Sequence, residues 1–252
     1  MDHRGLLPDL VALAERAGAV ILGYYPGDVQ ARLKADASPV TVADEAAEAV
    51  ILAGLAALTP EIPVVAEETV AGGHLPELGQ QPFWLVDPLD GTKEFLSRNG
   101  EFTVNIALIE GREPTLGVVL APALGQVWWG ASRLGAMTRN GGAARAIACR
   151  RRPAAGAVAV ASRSHADPET EAFLDREDVA ERISAGSSLK FCLVAEGLAD
   201  LYPRFGPTME WDTAAGHAVL AAAGGRVTTP DGAPFLYRKP GFRNQAFIAR
   251  GL

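Results

Sequence analysis

Four apolar residues, Phe83-Trp84-Leu85-Val86, run directly into Asp87-Pro88-Leu89-Asp90-Gly91-Thr92. The apolar run reads as a buried strand, and two carboxylates three residues apart follow it, then a Gly-Thr pair. Two ionised carboxylates about 4 Å apart repel by about 4 kcal/mol at an effective dielectric near 20, so such a pair needs a cation between its members or a proton on one of them. Oxygen ligands without a nearby His or Cys point to Mg²⁺ or Mn²⁺ rather than Zn²⁺. Pro88 removes an amide hydrogen and stiffens the turn, and the Leu89 carbonyl can offer one more oxygen. Gly91 lets the backbone approach a ligand, and the Gly91 and Thr92 amides would open a short helix, an anion site. One short loop can thus bring metal and phosphoryl group together, as metal-assisted phosphate hydrolysis requires. A lone Asp-Gly is more simply a hairpin turn, and an Asp before a helix a cap; the whole hexapeptide behind an apolar strand favours the metal reading.

Around this loop the pattern changes along the chain. Leu6 to about Tyr25 reads as an Ala/Leu-rich helix closed by Pro26-Gly27. Ser38-Pro39-Val40-Thr41 reads as the entry to a second helix, with Asp44, Glu45 and Glu48 in its first turns and Pro60 beyond its end. Pro63 to Ala66 predicts a short strand ending at Glu67-Glu68, and a Gly/Pro-rich loop covers Ala71 to Pro82. Thr103 to Ile109 and Leu116 to Leu120 predict antiparallel strands about the turn at Gly111 to Pro114, with another strand at Gln126 to Gly130. Composition shifts near Arg150-Arg151-Arg152-Pro153. That suggests an α+β unit with an antiparallel sheet and the metal-binding loop over 1–152, and an α/β unit over 153–252. In the second unit, strands at Val158 to Ala161, Arg182 to Ser184 and Leu198 to Tyr202 alternate with helices at Asp167 to Glu177, Ser187 to Glu196 and Asp212 to Ala223.

At 252 residues, 48% hydrophobic and 21% charged, the chain can bury a core as one large domain or two small ones. Cys149 and Cys192 make no disulfide framework, which favours a reducing cytoplasm. The first residues lack the apolar centre of a signal peptide, and no run of about 18 uncharged apolar residues predicts a membrane span. Attachment to the inner face of a membrane stays open, as does the choice between monomer and homodimer. A net charge of -7 argues against binding a nucleic-acid polymer through its backbone. It also means that an anionic substrate needs bound cations or a local basic cluster.

Further acids are candidates. Glu67 and Glu68 end a strand, so alternation could send one toward Asp87 and Asp90 and the other away; alone, they read more simply as solvated acids. Asp212, after Trp211, opens a helix, and Asp44 sits in the first turn of another. A plain N-cap and a plain dipole-complementing acid account for these two when each is taken alone.

The segment from Trp84 to Phe95 resembles the signature of the inositol monophosphatase superfamily, and Trp211-Asp212-Thr213-Ala214-Ala215-Gly216-His217 resembles its second signature. Within that superfamily, Ser162-Arg163-Ser164-His165, the segment from Gly186 to Gly197 and that from Leu201 to Thr208 are similar to the CysQ-type 3'(2'),5'-bisphosphate nucleotidases. The resemblance runs from about Leu10 to about Gly225. It implies a layered α-β-α-β-α sandwich of the inositol monophosphatase and fructose-1,6-bisphosphatase kind. It implies Mg²⁺-dependent hydrolysis of adenosine 3',5'-bisphosphate to AMP and phosphate by a metal-activated water, with lithium sensitivity and a place in sulfur metabolism. Carried over by motif, Glu67, Asp87 and the Leu89 carbonyl hold one metal, and Asp87, Asp90 and Asp212 a second, with Asp87 bridging. A weaker third Mg²⁺ would lie near Glu67. Thr92 and Asp44 resemble the dyad that activates the attacking water, with Glu67 beside them. The Gly91 and Thr92 amides would bind the scissile phosphate. His165, Gly186, Ser187 and Lys190 match positions that contact the nucleotide and its second phosphate. Arg204 reads either as a phosphate ligand or as a surface arginine.

Three other readings compete. A haloacid-dehalogenase-type phosphatase also carries Asp-Gly-Thr, but its paired aspartates stand two apart near the start of the chain. An inositol or sugar monophosphatase of the same superfamily is nearer. A non-catalytic nucleotide-binding protein on the same fold would need a broken acidic cluster, and in the sequence the cluster is intact. Ala71 to Gln81 and the tail after Pro230 carry no functional signal.

Overall fold

Residues 2–27, 30–33, 39–162 and 167–252 are described by the computed structural model of the chain. Helices α1 (His3–Tyr24) and α2 (Val42–Leu58) come first, and the short ladder of β1 (Arg32–Leu33) and β2 (Pro39–Val40) lies between them. A seven-stranded sheet follows in the order β3 (Val64–Ala66), β4 (Phe83–Asp90), β5 (Thr103–Glu110), β6 (Glu113–Ala121), β7 (Gln126–Ala131), β8 (Gly135–Asn140) and β9 (Arg145–Ile147). β3 and β4 are parallel, and every later pair is antiparallel. Two short helices, α3 (Glu67–Ala71) and α4 (Thr92–Leu96), start where β3 and β4 end.

A second sheet is built from β10 (Ala157–Ser162), β11 (Val179–Ala185), β12 (Leu201–Arg204), β13 (Arg226–Thr228) and β14 (Phe247–Arg250), with helices α5 (Pro168–Leu174), α6 (Leu189–Ala195) and α7 (Glu210–Ala222) in the connections. Its strand order is β11-β10-β12-β14-β13. β10 runs parallel to both neighbours, as alternating strands and helices predict, whereas β14 is antiparallel to β12 and β13. The tail after Pro230, silent in the sequence, thus supplies an interior strand of this sheet.

Side-chain alternation explains why β4 and β5 are so uniformly apolar. Trp84, Val86, Val104, Ile106 and Leu108 face α1 and α2, while Phe83, Leu85, Ala107 and Ile109 face α6 and α7. A strand covered on both faces reads as a continuous hydrophobic run. Phe191 of α6 stacks with Phe247 and meets Tyr202 edge-on, so α6 and α7 are sandwiched between the two sheets. Leu174 of α5 packs with Ala159, Leu201 and Ile248 on the far side. The layers are therefore α1/α2, sheet, α6/α7, sheet, α5, the expected five-layer sandwich. Close packing of α7 on the first sheet needs Gly117 on β6, because a Cβ there would press against the Ala215 carbonyl. The segment at 150–156 is tied down: Asp200 receives two hydrogen bonds from Arg150, both 2.8 Å, and one from the Val158 amide at 2.8 Å. Among the described residues no helix is long and apolar enough to cross a membrane.

Element boundaries shift where capping decides them. Thr41 caps α2, its Oγ1 accepting from the Ala43 amide at 3.1 Å, and Asp167 caps α5, accepting from the Thr170 amide at 2.8 Å. α7 opens at Glu210 rather than Asp212, and the predicted strand at Leu198 to Tyr202 begins only at Leu201. Ser38 lies outside the described residues.

His217 of α7 is buried in an aromatic nest with Phe235 and Tyr237, and its Nδ1 stands 3.1 Å from the Tyr237 hydroxyl. Burial, helped by the charge of Lys239, holds its pKa down to about 3. The unfolded chain takes up this proton near pH 6.5, so the imidazole's contribution is complete above that pH. It is then lost at up to about 1.4 kcal/mol per pH unit as the pH falls from about 6.5 to about 3. Urea unfolding across that range should show a shallower pH dependence for His217→Gln than for the parent protein. Equal slopes would exclude His217 as the source.

Candidate active site

Asp87 and Asp90 are three residues apart, so on a regular strand their side chains would point to opposite faces. The ladder between β4 and β5 is irregular at this point. Asp87 pairs with Asn105 and Asp90 with Thr103, so three residues on β4 span two on β5. This one-residue bulge returns both carboxylates to the same side. Pro88, with no amide hydrogen to give the ladder, sits inside the bulge. The Leu89 amide donates to Asp87 Oδ1 at 3.0 Å. Gly91 follows with φ 91°, where a Cβ would also collide with Ser187 Oγ, so glycine is needed for conformation and for space. α4 then opens at Thr92.

Glu67 reaches the site by a different route from the strand alternation expected for it. Glu67 and Glu68 open α3 instead of ending β3. The cause is Glu48, a buried acid on α2. Its carboxylate accepts from the amides of Glu68 and Thr69, each at 2.8 Å, and from Thr69 Oγ1 at 2.6 Å. A carboxylate on the first amides of a helix both caps it and complements its dipole. Asp44, one turn earlier on α2, accepts from Thr41 N at 2.8 Å, from Thr41 Oγ1 at 2.6 Å and from Thr92 Oγ1 at 3.3 Å. α2 therefore aligns the Asp44–Thr92 pair and the helix carrying Glu67 together. Glu48→Ala should loosen α3 and weaken divalent-cation binding roughly tenfold, the lower end for lost support of a ligand. Calorimetric titration with Mn²⁺ would measure this, and unchanged binding would mean that Glu67 is placed without Glu48.

Asp212 enters from α7. Its Oδ2 accepts from the Met209 amide at 2.8 Å, so it caps the helix and lines the cleft at once. Asp44 likewise caps its helix through Thr41, but it is buried behind the cleft and meets it through the Thr92 hydroxyl. Next to Asp212, the fully buried Glu210 accepts from the amides of Arg238 and Lys239 at 2.9 and 2.8 Å and pairs with Lys239 Nζ at 2.8 Å.

Carboxylate oxygens of Glu67, Asp87 and Asp212 lie within 4.8 Å of one another at a cleft of about 530 Å³. Asp90 is outside that tight group but lines the same cleft, as do the Leu89, Gly91 and Thr92 positions. Burial first, then the charges of Asp90 and Glu67, hold the Asp212 carboxyl well above the usual carboxylate range. Burial raises Asp90 to about 6, against the opposing charge of Lys190 and with the like charge of Glu67. Burial also raises Asp44, against its hydrogen bonds from Thr41. An all-oxygen, carboxylate-rich group of this kind is suited to a hard divalent cation and could hold one.

The same cleft is lined by Ser187, Lys190 and Arg204, positions expected to meet a nucleotide. The Gly186 amide donates to Glu101 Oε2 at 2.8 Å, and Ser187 Oγ lies 2.8 Å from both the Asp90 and Glu101 carbonyls. These contacts, with Ser188 Oγ on Asn105 Oδ1 at 2.6 Å, fasten the turn before α6 to the end of β4. Ser187 thus holds Asp90 in place while lining the cleft. Lys190 is buried, donates to the Ala185 and Ser187 carbonyls at 3.2 and 2.5 Å, and lies over the Tyr202 ring. Burial lowers it to about 8, and Asp90 opposes that shift. Arg204 is nine-tenths buried and donates to the Pro207 carbonyl at 3.3 Å. His165 lies outside the described residues.

Sequence reasoning placed Glu48 in the first turns of a helix without giving it a role, and passed over Glu101, Glu210 and the basic residues of the tail. A glutamate one helical turn after Asp44, amid alanines and valines, was a readable signal for Glu48. Nothing local marked Arg238. It crosses the fold to donate to the carbonyls of Gly79 and Gln81 and lies over Phe83, which gives the unassigned 71–81 loop its anchor.

A family model described as the inositol monophosphatase family matches residues 4–249. The 3'(2'),5'-bisphosphate nucleotidase CysQ of Escherichia coli is 50% identical over 246 residues, 94% of this chain and 98% of that protein. The protein of the same name from Salmonella typhimurium is 49% identical over the same shares. The crystal structure of CysQ from Bacteroides thetaiotaomicron, described as a bacterial member of that family, matches with a TM-score of 0.83 at 37% identity, covering 99% of this chain and 98% of that one. Five layers, a carboxylate group at a strand bulge and a match that runs nearly end to end lead to one assignment: the chain belongs to the inositol monophosphatase family.

Proposed function

We propose that the chain is a 3'(2'),5'-bisphosphate nucleotidase that hydrolyses adenosine 3',5'-bisphosphate to AMP and phosphate. The grouping of Glu67, Asp87 and Asp212 beside Thr92, at one cleft with Lys190 and Arg204, carries the chemistry. Identity of 50% to a protein of that name over nearly the whole chain carries the substrate class. Mg²⁺, two or three per site, is the proposed metal. Glu67, Asp87, the Leu89 carbonyl, Asp90 and Asp212 would hold it, and it would neutralise phosphoryl charge and acidify a water.

The remaining steps belong to the protein. Asp44, fixed by both of its bonds from Thr41, takes the Thr92 hydroxyl proton into a hydrogen bond and leaves the Thr92 oxygen lone pairs facing the cleft. A water donating to that oxygen is oriented for in-line attack, with Glu67 nearby to accept its proton. The Gly91 and Thr92 amides meet the scissile phosphate. Lys190, beside Asp90, and Arg204, beside Asp212, bring positive charge to the same cleft. This reading gives an acidic protein a local way to hold a highly anionic substrate.

Phosphate release from adenosine 3',5'-bisphosphate, inositol 1-phosphate and a sugar phosphate, with and without Mg²⁺, tests it. Mg²⁺-dependent preference for the nucleotide is the expected result. Equal or reversed preference would place the chain among the inositol or sugar monophosphatases instead. A trapped aspartyl-phosphate on Asp87 would replace direct attack by water with a covalent mechanism.

A further inference from the structure

We propose that Arg243, in the C-terminal segment, is a specificity residue of the cleft that binds the phosphate which is not hydrolysed; the inference rests on the nucleotidase reading above. Arg243 lines the same cleft as Asp212, Arg204, Thr208 and Met209. Its side chain is exposed and makes no ion pair or hydrogen bond among the described residues. The backbone around it is tightly held. Just before it, Gly241 and Phe242 take φ values of 67° and 55° in succession, and the left-handed region is unusual for a bulky side chain. Phe242 is nonetheless buried, with ring centroids 6.5 Å from Phe83 and 6.1 Å from Trp211.

Just after Arg243, the Asn244 amide donates to the Thr208 carbonyl at 2.9 Å. Asn244 Nδ2 lies 3.0 Å from Thr208 Oγ1, 2.6 Å from the Met209 carbonyl and 3.1 Å from Thr213 Oγ1. Arg243 itself bridges in antiparallel fashion to Met209, three residues before Asp212. A solvated surface arginine needs none of this. Strain kept by burial on one side and a hydrogen-bond cluster on the other is how a fold fixes one side chain at a site.

The chemistry of the same cleft is complementary. Arg204 is nine-tenths buried, and its Nε has no hydrogen-bond partner among the described residues. Two guanidinium groups with donors to spare therefore stand at a cleft that also holds the carboxylate group. Guanidinium forks match phosphate oxygens, and a bisphosphate brings a second dianion that a monophosphate lacks. Arg204 and Arg243 together would receive that group and set the preference between the two substrate classes.

The test compares kcat/KM for adenosine 3',5'-bisphosphate with that for adenosine 3'-monophosphate, which keeps the scissile phosphate and lacks the other. Arg243→Ala should reduce the ratio of the two roughly tenfold, through a higher KM for the bisphosphate. Arg243→Lys, a point charge without the fork, should recover part of it. An unchanged ratio in Arg243→Ala, whether both substrates suffer equally or neither does, overturns the proposal. A parent protein that prefers inositol 1-phosphate to both nucleotides overturns the nucleotidase reading instead, and does so before any variant is compared.

Discussion

Asp87→Asn is expected to lower kcat for phosphate release by about a thousandfold or more while raising the melting temperature of the metal-free protein. The two effects share one cause. Asp87 is buried, and one of its carboxylate oxygens lies within 4.8 Å of those of Glu67 and Asp212. Burial first, and neighbouring carboxylates after it, hold Asp212 well above the usual carboxylate range and Asp90 at about 6, so folding assembles groups that resist being charged together. Asparagine has nearly the same shape, and its Oδ1 can still accept from the Leu89 amide, but it removes one negative charge. Relief of repulsion should stabilise the metal-free fold by about 1 kcal/mol, roughly 3 °C for a chain of this size. The same change would remove one of the carboxylates proposed to hold the cation. Thermal unfolding with and without Mg²⁺ would show both: the parent gains stability from the cation and Asp87→Asn gains little. A variant that melts below the metal-free parent, or keeps its cation-induced shift, would contradict this account.

Glu210→Ala should produce the largest loss of stability, about 3–5 kcal/mol, because it strands a charge and two amides at once. Glu210 is fully buried and is the shared acceptor for the Arg238 amide, the Lys239 amide and Lys239 Nζ. Burial already lowers the Lys239 pKa, with Glu210 opposing that shift, so removing Glu210 leaves an ammonium with no counter-charge. The damage reaches function because Glu210 begins the helix that carries Asp212, and Arg238 anchors the 79–81 loop. Urea unfolding measures the loss directly, and a change below about 1 kcal/mol would mean that solvent replaces the clamp. Glu210→Gln, which can still accept from an amide, should fall between the two.

Local chemistry made much of the site readable. The hexapeptide at 87–92 needs only its own residues to suggest paired carboxylates before a helix start, and the bulge that aligns them is legible once Pro88 is seen to interrupt a ladder. The hairpin of β5 and β6 followed from a turn between two β-branched runs. What escaped depends on contacts far apart in sequence. Glu67 was placed near the cluster by strand alternation, whereas Glu48, nineteen residues earlier on α2, turns that segment into a helix by capping the amides that follow. The short strands β9, β13 and β14 have no period of their own and exist because a neighbouring edge accepts them. Ser187 and Lys190 were recognisable by motif, but their attachment to the Asp90 and Ala185 carbonyls is a property of the assembled turn.

The position of β14 bears on how the molecule comes into being. This last strand of the described chain lies between β12 and β13, and Arg204 of the cleft wall pairs with Phe247 at its start. During synthesis the second sheet cannot close until residues 247–250 have left the ribosome, although nearly every acidic residue of the site has been made long before. Such long-range pairing is slow to form, and a nascent chain held short of it would expose the edges of β12 and β13. The strand beside Arg204 is therefore made after the acidic residues of the cleft, and a chain arrested short of residue 247 lacks the partner that backs its cationic side.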